Sequence, residues 1–208
     1  MRYAYTAAGI ALSLLAFRGT AQAEPIQYTE RATASGTLGS ESFTNRQIVV
    51  SYTGDTANVS SPAPGVLQNS GGVAAFYLRG VGAGTFKGGI ALLIKPQSGF
   101  SIAAISTNPN LVPNAPGGNS AGGDVLGTNN PALASYNLAT PLGPLVGPSV
   151  LQSNPAAGSN GVPGTFSTTA GNLTLTSAGN VRFLATTYAE GKGNGGDNGD
   201  GEGDATSN

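Results

Sequence analysis

The chain has 208 residues, a formal net charge of −1, no cysteine and no histidine. Lacking both residues, it cannot supply the base of a Ser-His-Asp triad, nor the imidazole and thiolate ligands of the usual zinc sites. Only 9% of residues are charged and no run of Lys or Arg occurs, which excludes the grouped cations that nucleic acid or an anionic membrane surface requires.

The N-terminus reads as a secretory signal over residues 1–23. Arg2 precedes an apolar stretch from Ala7 to Phe17, and Ala21-Gln22-Ala23 places small residues at the positions a signal peptidase reads. A membrane span needs about 20 apolar residues, and Arg18 cuts this one short. Removing Arg2 and Arg18 with the leader leaves seven basic residues against ten acidic ones, a net charge of −3. The longest later apolar run, Ile90–Ile94, is strand-sized, so no transmembrane helix is expected after signal removal. Secretion to the extracellular space is the expected destination, with the periplasm as the alternative. Exported folds are commonly stapled by disulfides; this one must rely on its core. About 166 residues, from 24 to 189, suffice to bury roughly 70% of the unfolded surface in one domain.

Period-two alternation then recurs along the chain, as half-buried strands require. In Ile26–Ser35, Ile26, Tyr28 and Ala32 share a face and Gln27, Thr29, Arg31 and Thr33 the other, with Glu30 intruding on the apolar side. Gln47–Thr53, Val73–Arg79, Thr85–Phe86 continuing to Ile90–Ile94, Phe100–Ser106, Leu133–Leu138, Asn172–Thr176 and Val181–Tyr188 are further predicted strands. Their β-branched and aromatic residues suit a pleated surface. Thr53-Gly54-Asp55-Thr56, Pro64-Gly65, Ser70-Gly71-Gly72 and Ala178-Gly179-Asn180 are turn signals. Leu173–Thr176 and Val181–Ala185 read as a hairpin closed by Ser177–Asn180. No capped 3.6-residue period of helical length follows the leader. An all-β fold is therefore expected, an antiparallel β-sandwich or jelly roll. It would carry two long irregular loops, Thr107–Pro131 and Ala139–Gly171, and a disordered Gly/Asp-rich tail over residues 190–208.

Few residues could carry chemistry. A Ser-Lys arrangement would need Lys87 or Lys95, and both read as solvated lysines at strand ends. Glu24, Glu30, Glu41, Asp55, Asp124 and Glu190 include no carboxylate pair that the sequence places across a cleft, as glycoside hydrolysis demands. Asn198, Asp200, Glu202 and Asp204 alternate like calcium ligands, but a single apolar-free copy has no core to hold it. Asn58-Val59-Ser60 and Asn172-Leu173-Thr174 match the glycosylation pattern by coincidence, and Thr174 with Thr176 reads as ordinary sheet surface. No catalytic, cofactor-binding or metal-binding residue is assigned, and no cofactor is expected.

Three stretches carry a resemblance. Ala32–Gly39 with Ser42–Asn45 and Val49–Val59, then Leu133–Pro144, then Thr168–Thr176 look like the opening, central and closing segments of secreted bacterial proteins of the PEP-CTERM, exosortase-sorted type. The resemblance implies an exported protein associated with the cell surface or exopolysaccharide, and it brings no catalytic residues. The Pro-Glu-Pro motif, membrane helix and basic cluster of that type are replaced here by the Gly/Asp tail, so release rather than anchoring is expected. The function read from the sequence is non-catalytic: a structural or interaction role at the cell surface or in the extracellular matrix. Its partners would be extracellular polysaccharide or other surface proteins, not nucleic acid. The alternative is a glycan-binding module using the long loops, and a secreted hydrolase comes third. Aromatic rings grouped on an exposed face would point to glycan binding; buried rings would point to a structural role.

Overall fold

The structure, a computed structural model, describes residues 23–97, 100–106, 124–151 and 164–188. The leader before Ala23, residues 107–123 and 152–163 of the two long loops, and the Gly/Asp tail lie outside the described residues.

Alternation becomes pairing first in β1 (Pro25–Leu38), whose even-numbered residues from Ile26 to Leu38 are all buried. β2 (Glu41–Asp55) folds back along its whole length, and β5 (Val73–Leu78) and β6 (Gly82–Thr85) extend the sheet beyond it. On the other edge of β1 lie β13 (Gly171–Ala178) and β14 (Val181–Thr187), flanked in turn by β12 (Thr165–Thr168) and β10 (Leu142–Gly147). The second sheet has the order β11 (Ser149–Val150), β9 (Asp124–Asn129), β8 (Phe100–Ser106), β7 (Ala91–Gln97), β4 (Val66–Ser70), β3 (Val59–Ala63). Every pairing is antiparallel, and no α-helix occurs among the described residues.

The two sheets form a β-sandwich around one core. Ile26, Tyr28, Ile48, Val50, Tyr52, Phe76, Leu78 and Phe183 of the first sheet meet Leu92, Ile94, Ile105 and Leu126 of the second. Fully burying one such side chain contributes roughly 1.5–3 kcal/mol, so this core carries a chain that has no disulfide. Polar bonds tie the layers as well: Thr128 of β9 donates its hydroxyl to the Val181 carbonyl of β14 at 3.2 Å.

Three sequence expectations are corrected. The predicted hairpin is not one. Leu173–Ala178 pairs with Ala34–Leu38, and Arg182–Thr187 pairs with Ile26–Arg31, so β13 and β14 run in one direction along the same edge of β1. The Gly179 N–H donates to the Thr33 carbonyl at 2.8 Å, in the gap between them. β1 is longer than either strand, and its open edge captures the turn-prone residues in extended form. The predicted strand Leu133–Leu138 is instead a 3₁₀ turn, Pro131–Ser135, followed by a loop. Asn130 caps the turn by accepting the Ala132 N–H at 2.9 Å, and Leu138, at φ 60°, leaves extended geometry. The long loops also contain strands. β9 lies within Thr107–Pro131, and β10, β11 and β12 lie within Ala139–Gly171. Proline punctuation concealed β10, which contains Pro144, and β11, which follows Pro148, because edge strands tolerate Pro where its missing donor faces away from the ladder.

Candidate functional site

Two polar assemblies stand out, one inside the sandwich and one on its surface. The inner one begins with Glu30. Strict alternation turns it inward between Tyr28 and Ala32, where it is fully buried, and neither carboxyl oxygen has a hydrogen-bond partner. Burial raises its pKa well above the usual carboxylate range, and the negative Asp124 raises it further. The Ile105 backbone N–H lowers it somewhat, acting as a nearby dipole rather than as a formed hydrogen bond. Burial without a partner thus favours the neutral, protonated form of this carboxyl.

Asp124, expected in a glycine-rich loop, opens β9 and is 1% exposed. Lys95, expected to be solvated, is 6% exposed. Its Nζ lies 2.7 Å from Oδ1 and 3.0 Å from Oδ2 of Asp124. The lysine sits inside β7, in a sheet whose central strands are buried, so its charge demands an anionic partner. Burial pushes Asp124 above the usual carboxylate range, opposed by the Lys95 ammonium and a hydrogen bond from the Ser106 side chain. The fold thus gathers Glu30, Lys95, Ser106 and Asp124. Glu41 and Lys87 lie exposed elsewhere, Glu24 is bonded through its backbone to Thr56 while the Asp55 carboxylate accepts the Ala57 N–H, and Glu190 lies outside the described residues. Glu30 was the one member legible beforehand, as a charge on an apolar face.

The outer assembly covers the solvent face of the first sheet. Arg31 of β1 and Arg182 of β14 are direct cross-strand partners, and both are exposed. With Thr29 and Leu184 they line a groove of about 240 Å³. Neither guanidinium joins an ion pair; the one salt bridge among the described residues is Lys95–Asp124. The outward positions of β1, β14 and the neighbouring Gln47–Thr53 and Val73–Tyr77 hold no acid. Register places Val49 and then Tyr77 beside Arg31 in the same row. Tyr77 and Tyr188 are 52% and 48% exposed, whereas Tyr28, Phe43, Tyr52, Phe76, Phe86, Tyr136, Phe166 and Phe183 are buried. The aromatic residues are thus largely core, forming contacts such as Tyr28–Phe183 and Phe86–Phe166.

Comparison with known proteins finds no family model, no curated protein and no solved structure that matches this chain. No helix among the described residues is long and apolar enough to cross a membrane.

Proposed function

We propose that this is an exported, non-catalytic protein of the cell surface or extracellular matrix that holds acidic polysaccharide on the outer face of its first sheet. The observation that carries the reading is the Arg31–Arg182 pair. Like charges directly opposite on neighbouring strands destabilise a sheet by roughly 0.2–1 kcal/mol, and here no acid offsets them. A carboxylate or sulfate seated between the guanidiniums would offset the repulsion through two-pronged hydrogen bonds. Thr29 adds a hydroxyl for a sugar and Leu184 an apolar wall. Export rests on the leader-like residues 1–23. The buried aromatics favour recognition by charge and hydroxyl contacts over stacking of neutral sugars on exposed rings.

Affinity electrophoresis in gels containing a polyuronate or a neutral glucan tests this. Retardation by the polyuronate alone is expected, weakening with salt and lost in Arg31→Ala and Arg182→Ala. Equal retardation of the wild type and both variants overturns it.

A further inference from the structure

A buried ammonium and carboxylate in contact, beside a buried neutral acid, are the reactants and the proton relay of an amide condensation. Lys95 Nζ contacts both Asp124 oxygens, which brings the carboxyl carbon within reach of the nitrogen. The pair is almost wholly removed from water, and Glu30, fully buried and near enough for the Asp124 charge to act on it, offers a carboxyl group with no hydrogen-bond partner. A buried ion pair carries a desolvation penalty that its attraction does not always repay, whereas a neutral amide carries no charge to desolvate. We propose that Lys95 and Asp124 join in an intramolecular isopeptide bond, with Glu30 relaying the protons.

The step balances without a co-reactant. The ammonium passes one proton to the adjacent carboxylate, leaving an amine and a neutral acid. The nitrogen lone pair then forms a bond to the Asp124 carboxyl carbon, while the protonated Glu30 donates to the oxygen on which charge accumulates. Glu30 takes a proton from the nitrogen and returns one to the departing hydroxyl. The carbon–oxygen bond breaks, one water leaves, and Glu30 recovers the proton of the remaining hydroxyl, whose oxygen becomes the amide carbonyl, so that it ends protonated as it began. Holding the reactants in contact within the fold supplies the effective concentration that the reaction lacks in solution, and exclusion of water disfavours hydrolysis. The product would clasp β7 to β9 and constrain the unfolded chain between residues 95 and 124, as a disulfide would in a chain that has none.

Mass spectrometry of the full-length chain decides the matter. Trypsin is unsuitable: Lys95 precedes Pro96 and the next basic residue after it is Arg182, so both reactants stay on one linear fragment. Chymotrypsin can cut between them, at Phe100. The expected product is a branched species joining the fragments that carry Lys95 and Asp124, one water lighter than their sum. Lys95→Arg and Asp124→Asn should retain the separate fragments. Glu30→Gln, nearly isosteric and with its fold checked by circular dichroism, should slow formation by at least tenfold. Separate, unmodified fragments from the folded wild type overturn the proposal. A branched product formed at the wild-type rate in Glu30→Gln overturns the relay.

Discussion

The side-chain amide of Asn69 donates to the Tyr28 hydroxyl at 3.0 Å, joining β4 of one sheet to β1 of the other. The same amide donates to the Asp55 carbonyl at 3.0 Å, and its oxygen accepts from Tyr52 at 3.4 Å. Tyr28 in turn donates to the Leu138 carbonyl. Burial raises Tyr52 above its ordinary value and pushes Tyr28 higher still, so both remain neutral donors. Losing one partner here strands several groups. Asn69→Leu should therefore lower unfolding stability by about 2–4 kcal/mol, given roughly 1–3 kcal/mol for each buried polar group left unsatisfied. Urea titration followed by circular dichroism measures it, and a loss below about 0.5 kcal/mol would mean the bonds contribute little.

Glu30 sets a pH dependence. Its carboxyl is raised in the folded state, so the folded protein binds that proton more tightly than the unfolded chain does. Its stability contribution is complete below the ordinary Glu value and falls as pH rises toward the folded one. The slope approaches about 1.4 kcal/mol per pH unit. Glu30→Gln removes the titrating group and should flatten the fall in stability above about pH 5. Parallel stability–pH curves for the two proteins would contradict a buried neutral acid.

Gly36 is required for space. It lies at the irregularity where β1 meets β13, and a Cβ there would collide with the Thr174 carbonyl oxygen. Gly36→Ala should cost roughly 1–3 kcal/mol through overpacking against rigid backbone. Gly179 supplies the control, since a Cβ there meets the Thr33 carbonyl at 3.7 Å, an ordinary contact. Thermal melts should show a lowered midpoint for Gly36→Ala and little change for Gly179→Ala.

Arg182→Ala should separate stability from binding. Removing one of two opposed like charges should leave the free protein equal in stability, or a few tenths of a kcal/mol more stable at low salt, while polyuronate binding is lost. Marked destabilisation would show that the arginine supports the sheet rather than a ligand.

Local alternation displayed β1, β2, β5, β7, β8, β13 and β14, because a residue facing a core and one facing water differ in a way the chain itself shows. Ile26, Tyr28 and Ala32 announced the buried face of β1, and Glu30 announced its exception. Local chemistry does not encode which edges meet. Ala178-Gly179-Asn180 has the composition of a turn, yet the open edge of β1 holds it extended through the Thr33 carbonyl. The same non-local pairing sets Arg31 against Arg182 and Lys95 against Asp124. Lys95 read as a solvated cation because burial depends on neighbours that only the folded sheet supplies. The sequence by itself determined an all-β chain with an acidic residue on its core face; the tertiary structure decided what that residue faces, because hydrogen-bonded pairing between strands is indifferent to how far apart they lie along the chain.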